Sequence, residues 1–459
     1  MPAGTTSIRT HRLIRLTILV GMFSFILGAL TQPPRPSRAD PPAPPPALQE
    51  EIIVGIDHNG GTITVGETQI LTVRLPVNPS TGYLWQAERT EDSGQLGERP
   101  ILRQVGETVF SSLPDLLPDP PYSPLILVGA PVLQKLQFQP LSEGETTLRL
   151  AHRRPWEDAA PLGDAFTLTV QTVGSFLNHP APLDGADEAT PPPLLGPQPD
   201  LGLPSKFNWC DNGGCTPVKN QGSCGSCWAF ATVGVQENLI KIRDGVERDL
   251  SEQYHVSCNT DGWSCNGGWQ THEYHVDAYG ANQTQPGAVY EADFPYQAKD
   301  LACPLPPLAS HEQAEQWTYV AADPRTVPSV AALKQAIYEH GPVFVAVRVC
   351  NWGSYQGGVY ETSCSGQVNH AVVLVGWDDT QGTNGVWYLR NSWGTGWGED
   401  GSMRIGYGVS SVGYAASYVV YHEGSNTLLP PNEPHCDPVR QNGESDLARQ
   451  QHHRNRVPR

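Results

Sequence analysis

The chain has 459 residues, room for about two to four domains, and a formal net charge of −18. An acidic balance of this size argues against nucleic acid and anionic membrane surfaces as partners. Its 43 prolines gather in a few stretches that separate segments of different character.

The first residues read as an export signal. Arg9, Arg12 and Arg15 precede an apolar run from Leu16 to Leu30, a length suited to a signal h-region and short for a spanning helix. Ser37-Arg38-Ala39 offers small residues for cleavage, so 1–39 is read as a signal peptide, or as a membrane anchor if it stays uncleaved. Residues 40–49 form a proline-rich tether. From 50 to 175 the runs Thr62–Val65, Gln69–Leu75, Gln134–Phe138, Thr146–Leu150 and Ala165–Val170 read as short strands, with no cysteine among them. Gly and Pro separate them, the pattern of a small antiparallel β-sandwich. Asn78-Pro79-Ser80-Thr81-Gly82-Tyr83-Leu84-Trp85 reads as one loop of it, and Arg153-Arg154-Pro155-Trp156 as a second.

A proline-rich linker follows over 176–205. Beyond it Gln221-Gly222-Ser223-Cys224-Gly225-Ser226-Cys227-Trp228-Ala229-Phe230 sets a glutamine ahead of a cysteine that opens an amphipathic helix. Trp228, Val235, Leu239 and Ile242 form one stripe of a 3.6-residue period, and Asp244-Gly245 supplies the C-cap. A thiol at a helix N-terminus meets unpaired N–H groups and the macrodipole, which favour the thiolate. A thiolate still needs a general acid for the leaving group and a third group to hold that acid. Asn369-His370-Ala371-Val372-Val373-Leu374-Val375-Gly376 puts a histidine at the head of an apolar strand. Trp387-Tyr388-Leu389-Arg390-Asn391-Ser392-Trp393-Gly394 puts an asparagine at the end of another. His272-Glu273-Tyr274-His275 lacks the spacing of a zinc-binding HExxH and reads as part of an amphipathic helix. No metal or cofactor is expected. Residues 423–459 read as a disordered polar tail.

Five motifs in order carry a family resemblance. They are Gln221–Phe230, Ser251-Glu252-Gln253, Cys265-Asn266-Gly267-Gly268, Asn369–Val372 and Asn391-Ser392-Trp393-Gly394-Thr395-Gly396-Trp397-Gly398. Residues 206–422 resemble a papain-like cysteine peptidase. His370 falls within the roughly 130–150 residues that separate a papain-type cysteine from its partners, and Asn391 lies slightly beyond. The resemblance implies Cys227 as nucleophile, His370 as acid/base and Asn391 as the group orienting the imidazole under the shield of Trp393. Gln221 and the Cys227 backbone N–H become the oxyanion donors. It also implies substrate contacts at Gly267, Gly268, Trp269 and Asn369, with a second subsite of Gln270, Ala346, Ala371 and Ala416, roomy and apolar. Cys224–Cys265 and Cys258–Cys303 are the family's disulfides. Cys364 lacks its usual partner, for which Cys350 substitutes, and Cys210–Cys215 closes a short loop. Cys227 and Cys436 remain, the first as the free thiol that catalysis requires.

With such a domain on the same chain, the sandwich loops acquire a meaning. The loop Asn78, Pro79, Ser80, Thr81, Gly82, Tyr83 and the loop Arg154, Pro155, Trp156 resemble those of chagasin-like inhibitors of papain-like peptidases. That family wedges three loops of an immunoglobulin-like sandwich into the peptidase cleft. Gly129-Ala130-Pro131 stands where the third loop is expected, in place of a glycine cluster. The fold class expected is therefore multidomain: an α+β, two-lobed papain-like peptidase domain preceded by an all-β immunoglobulin-like sandwich. The function expected is a secreted or extracytoplasmic endopeptidase acting on polypeptides through a thioester and kept latent by intramolecular contact. A flexible linker of about 30 residues spans roughly 30 Å, enough to reach across a domain. Tethering gives an effective concentration of order mM. Against an intrinsic micromolar inhibitor that is about 4 kcal/mol of closure. Three alternatives stay open: inhibition of foreign peptidases, an adhesion role for the sandwich, and transpeptidation by the thioester.

Overall fold

A computed structural model of the chain describes residues 50–88, 100–111, 127–158, 161–163, 165–176, 202–364 and 366–421. The expected export segment and tether, residues 177–201 of the linker, and the tail with Cys436 lie outside these. No helix of the described residues is long and apolar enough to cross a membrane.

The N-terminal half is a sandwich of two four-stranded sheets. Its strands are β1 (Glu50–Val54), β2 (Gly61–Gly66), β3 (Gln69–Val77), β4 (Leu84–Ala87), β5 (Leu102–Ser111), β6 (Val132–Pro140), β7 (Gly144–Arg153) and β8 (Phe166–Val173). One sheet runs β1-β3-β6-β5 and the other β2-β8-β7-β4. Alternation along β6, β7 and β8 sends Leu136, Phe138, Leu148, Leu150, Leu168 and Val170 into a shared core with Val65, Leu71 and Val73. The expectation of a purely antiparallel sandwich needs correction. The edge strands β1 and β2 pair in parallel with β3 and β8. The loop expected through Trp85 ends at Tyr83, because Leu84 and Trp85 pair with Arg153 and His152 in β4–β7.

The second half is two-lobed and α+β. Its helices are α1 (Cys227–Asp244), α2 (Glu252–Cys258), α3 (Glu273–Val276) and α4 (Val330–His340). Its strands are β9 (Lys206–Asn208), β10 (Gln316–Tyr319), β11 (Val343–Val347), β12 (Val359–Tyr360), β13 (His370–Asp378), β14 (Val386–Arg390), β15 (Ser402–Gly406) and β16 (Tyr414–Val420). They form one sheet in the order β10-β16-β11-β13-β14-β15-β12, with β9 also paired to β13. Gly245, left-handed at φ 68°, caps α1 as its position in the sequence suggests. The helix is buried well beyond the expected stripe, on Ala229, Phe230, Ala231, Val233 and Ile240 as well as Trp228, Val235 and Leu239. It is thus a central helix rather than a surface one, which fixes where Cys227 sits. The other lobe packs Trp352, Trp377, Trp387, Trp393 and Trp397 with Val345, Leu374 and Ile405.

Four disulfides join Cys210–Cys215, Cys224–Cys265, Cys258–Cys303 and Cys350–Cys364. The second fastens the cysteine loop to the Gly267–Gly268 strand segment, and so fixes one wall of the cleft against α1.

Three histidines outside the cleft are fully enclosed. His255 and His275 meet Nε2 to Nε2 at 3.0 Å, and His272 Nε2 meets Ser417 Oγ at 3.2 Å. Burial holds His272 and His275 down at about 3 and lowers His255 as well, with the neighbouring histidines adding to the effect on His255 and His272. The ordinary value is 6.5, so between about 6.5 and 3 the unfolded chain binds the extra protons and the folded chain does not. Stability therefore falls as pH falls through that window. Thermal melts across it are expected to show a steep loss of Tm for the wild type and a shallower one for His275→Gln. Equal slopes would contradict this assignment.

Candidate active site

The cysteine, histidine and asparagine reach one place by three different routes. Cys227 is the first residue of α1, His370 the first of β13, and Asn391 follows the last residue of β14. Because β13 and β14 are hydrogen-bonded neighbours, their adjacent ends bring His370 and Asn391 together. His370 Nε2 lies 2.8 Å from Asn391 Oδ1, and both residues are buried. The Trp393 ring stacks on the His370 ring at 5.2 Å between centroids, covering that bond. Gln221 is tied to the asparagine segment twice. Its N–H donates to Ser392 O at 2.9 Å, and Ser392 Oγ donates to its Oε1 at 2.7 Å. Its own Nε2 donates to Cys224 O at 2.9 Å. Among the described residues Cys227 is the cysteine outside any disulfide.

The cleft is occupied by the sandwich. Three loops enter it from the end of the sandwich that carries the β3–β4, pre-β6 and β7–β8 connections. In the first, Asn78 caps a short 3₁₀ turn over Pro79–Thr81, and Ser80 and Thr81 are buried. The Ser80 hydroxyl donates to Asn78 Oδ1 at 2.7 Å, and Trp393 Nε1 donates to Ser80 O at 2.7 Å. In the second, Val128 N–H donates to Gly268 O at 3.1 Å and Gly268 N–H returns to Val128 O at 3.0 Å. Gly129 N–H then donates to Asn369 O at 3.0 Å. This is strand addition to an exposed backbone edge. Val128 is fully buried in the same core as Cys227, Trp228, Ala346 and Ala371.

The third loop carries Arg154, whose side chain is enclosed. It donates to Thr81 O at 2.8 Å, Glu157 at 2.8 Å, Asn220 Oδ1 at 3.0 Å and Gly222 O at 3.1 Å. It also lies over the Tyr83 ring at 4.9 Å. A buried guanidinium is tolerated because its donors are used, half of them across the interface. Trp156 stacks on Trp393 at 5.2 Å, extending the His370–Trp393 stack outward. A side chain at Gly82 would collide with Trp156, so that ring needs the glycine to lie flat. Pro155 rests against Gly353.

Burial in this closed form opposes the electrostatics expected from the helix N-terminus. Burial pushes the Cys227 thiol up to about 12, against hydrogen bonds from Ala371 and Trp228 that act to lower it. Burial also pulls His370 down to about 4, against the Asn391 hydrogen bond. In this closed form burial therefore favours the neutral thiol and the neutral imidazole.

Of the expected subsite residues, Ala346 and Ala371 face each other across β11–β13 in the core that receives Val128. Gln270 donates to Tyr319 Oη at 3.0 Å, and Trp269 Nε1 does the same at 3.2 Å. Ala416 is a correction: it packs into the opposite lobe's core with Trp352 and Ile405. An irregularity between Phe344 and Ala346 shifts the pairing so that Tyr414 stands opposite Ala346. The residues that sequence reading passed over are Val128, Asn220 and Gly222. An apolar run ending in Val128-Gly129 carries a signal for an edge-pairing segment; Asn220 and Gly222 carry none beyond their closeness to Gln221.

Residues 203–422 match the model of the papain family of cysteine proteases. This part of the chain belongs to that family. Residues 63–170 match the chagasin family of peptidase inhibitors. The papain-family part is 34% identical over 220 residues to cathepsin O of Homo sapiens, covering 48% of this chain and 66% of that protein. It is 34% identical over 210 residues to ananain of Ananas comosus, covering 46% and 57%. It is 37% identical over 210 residues to papaya proteinase 4 of Carica papaya, covering 44% and 56%. The chain thus spans 56 to 66% of the length of these relatives.

The chagasin-family loops cover the papain-family sulfur through the Trp156–Trp393 stack. An aromatic pair contributes about 0.5–1.5 kcal/mol beyond the area it buries, and central interface tryptophans often cost about 2 kcal/mol or more when truncated. Trp156→Ala is expected to speed labelling of Cys227 by a thiol reagent at neutral pH by about 10- to 100-fold. Val109→Ala, at an exposed position on β5, should leave it unchanged. Equal rates for wild type and Trp156→Ala would contradict the covering role.

Proposed function

We propose that the chain is a secreted cysteine endopeptidase held latent in cis by its own chagasin-family domain. The observation that supports this best is the complete enclosure of the Cys227 sulfur by loops of the same chain, with no exposed surface left on that residue. Four disulfides fit an oxidising compartment, whether extracellular or lysosomal.

Withdrawal of the three loops admits water to the cleft. The desolvation that raises the thiol and lowers the imidazole is then relieved, and the proton passes from Cys227 to His370. Asn391 Oδ1 holds the ring through Nε2, which leaves Nδ1, without a hydrogen-bond partner in the closed form, as the nitrogen available to take the thiol proton. The thiolate adds to the carbonyl carbon of an extended polypeptide lying on Gly268 and Asn369. Charge on the carbonyl oxygen is met by the Cys227 backbone N–H and by the second N–H of the Gln221 carboxamide. His370 gives its proton to the leaving amine, and water hydrolyses the thioester. The apolar seat now filled by Val128, between Ala346 and Ala371, receives an aliphatic side chain of the substrate residue second from the new carboxyl end.

Latency follows from tethering. An inhibitor of micromolar intrinsic affinity, presented at an effective concentration of order mM, leaves on the order of 0.1% of the chain open. Cutting the linker at 176–205 and diluting to nanomolar concentration removes that advantage. Turnover of a peptide substrate is expected to rise by two to three orders of magnitude, on the order of 100- to 1,000-fold. Equal turnover by intact and cut chain at that dilution would discard the proposal.

A further inference from the structure

A peptide that binds a peptidase cleft as a substrate does should be cut there. Val128 and Gly129 make three backbone hydrogen bonds with Gly268 and Asn369, as an extended substrate would. Gly129 lies directly over the sulfur: a methyl group on it would stand 3.3 Å from Cys227 Sγ. Two features then take the next peptide bond away from the chemistry. Gly129 is left-handed, at φ +81°, and turns the chain back over Gly267. A methyl on Gly267 would meet Ala130 N at 2.9 Å and Ala130 Cα at 3.1 Å. The Gly129 carbonyl, meanwhile, packs against Gly225 and accepts a hydrogen bond from Asn78 Nδ2. Gln221 Nε2 donates elsewhere, to Cys224 O.

The Asn78 carboxamide has its orientation fixed from its other end. Its Oδ1 accepts from Ser80 N at 3.2 Å and from Ser80 Oγ at 2.7 Å, which turns Nδ2 toward Gly129. We propose that Asn78 is the positioning residue that makes this loop an inhibitor rather than a substrate, by holding the Gly129 carbonyl away from the oxyanion donors. The inference rests on the reading of Cys227 as the nucleophile. Without the Asn78 donor the carbonyl is free to rotate toward the Cys227 N–H and Gln221. The Cys227 thiol gives its proton to His370 as sulfur adds to the Gly129 carbonyl carbon; the Gly129–Ala130 C–N bond then breaks, and the Ala130 nitrogen takes that proton. Water hydrolyses the thioester to a Gly129 carboxylate and returns the thiol. The loop that seals the cleft is severed, and the chain activates itself.

The test uses the full chain with Asn78→Asp, which keeps the acceptor for Ser80 and removes the donor, alongside Asn78→Ala, which removes both without adding charge. Each is incubated alone, and the products are read by mass and N-terminal sequence. The expected result is a new N-terminus at Ala130 in both, formed at least about tenfold faster than in wild type, the scale of one lost hydrogen bond. The rate should be independent of protein concentration, and the cut should be absent when Cys227→Ala is added. The proposal is overturned if both variants stay uncut, or if either becomes active with the Gly129–Ala130 bond intact. A separate arm addresses latency itself: a wild-type chain as active intact as after linker cleavage would overturn that reading and this one with it.

Discussion

A two-residue strand decides the state of this molecule. Val128 and Gly129 add to the free backbone edge at Gly268 and Asn369 and place a glycine Cα over the one unpaired thiol of the described residues. The other two loops serve that placement. Asn78 and Ser80 close the space above the sulfur, and Arg154 and Trp156 anchor the far side on Asn220, Gly222 and Trp393. Because the strand is only two residues long, its own hydrogen bonds contribute little net free energy. The anchoring comes from the buried Arg154 and the ring stack, so affinity and occlusion are carried by different residues.

The same covering leaves Cys227 and the residues around it without solvent. His370 and Asn391 keep their 2.8 Å contact in the occluded cleft, and Trp393 keeps its place over them. What is lost is water, and with it the charged form of both partners. If the chain is latent as proposed, release requires that the three loops withdraw from the cleft. Trp393 links the two states, since one face of its ring shields the His370–Asn391 bond and the other receives Trp156.

Much of this was legible in the chain, for identifiable reasons. Cys227, His370 and Asn391 could be assigned because each sits at an end of a regular element whose period shows in its neighbours. The loops at Asn78–Tyr83 and Arg154–Trp156 were marked by turn residues between alternating strands. Edge strands were harder: β1 and β2 pair in parallel, and pairing direction leaves no mark on alternation. β5, rich in polar residues such as Arg103, Gln104 and Glu107, lacks the alternation by which other strands show themselves. Ala416 was misplaced because an irregularity in β11–β16 shifts register, and a one-residue shift sends a side chain to the other face. The thiol's electrostatics were misjudged for a different reason. A helix N-terminus is a local property, whereas the burial that outweighs it is tertiary and includes Val128, about 100 residues earlier in the chain.

The central claim is that the sulfur of the intact chain is a sealed, neutral thiol. The most direct measurement is the pH dependence of thiolate formation at Cys227, followed by ultraviolet difference absorbance against the Cys227→Ala chain. The intact protein should show no thiolate at neutral pH and an inflection only far into the alkaline range, with an acidic inflection emerging once the linker is cut and the domains are diluted apart. An intact chain whose Cys227 already titrates below neutrality would contradict the account.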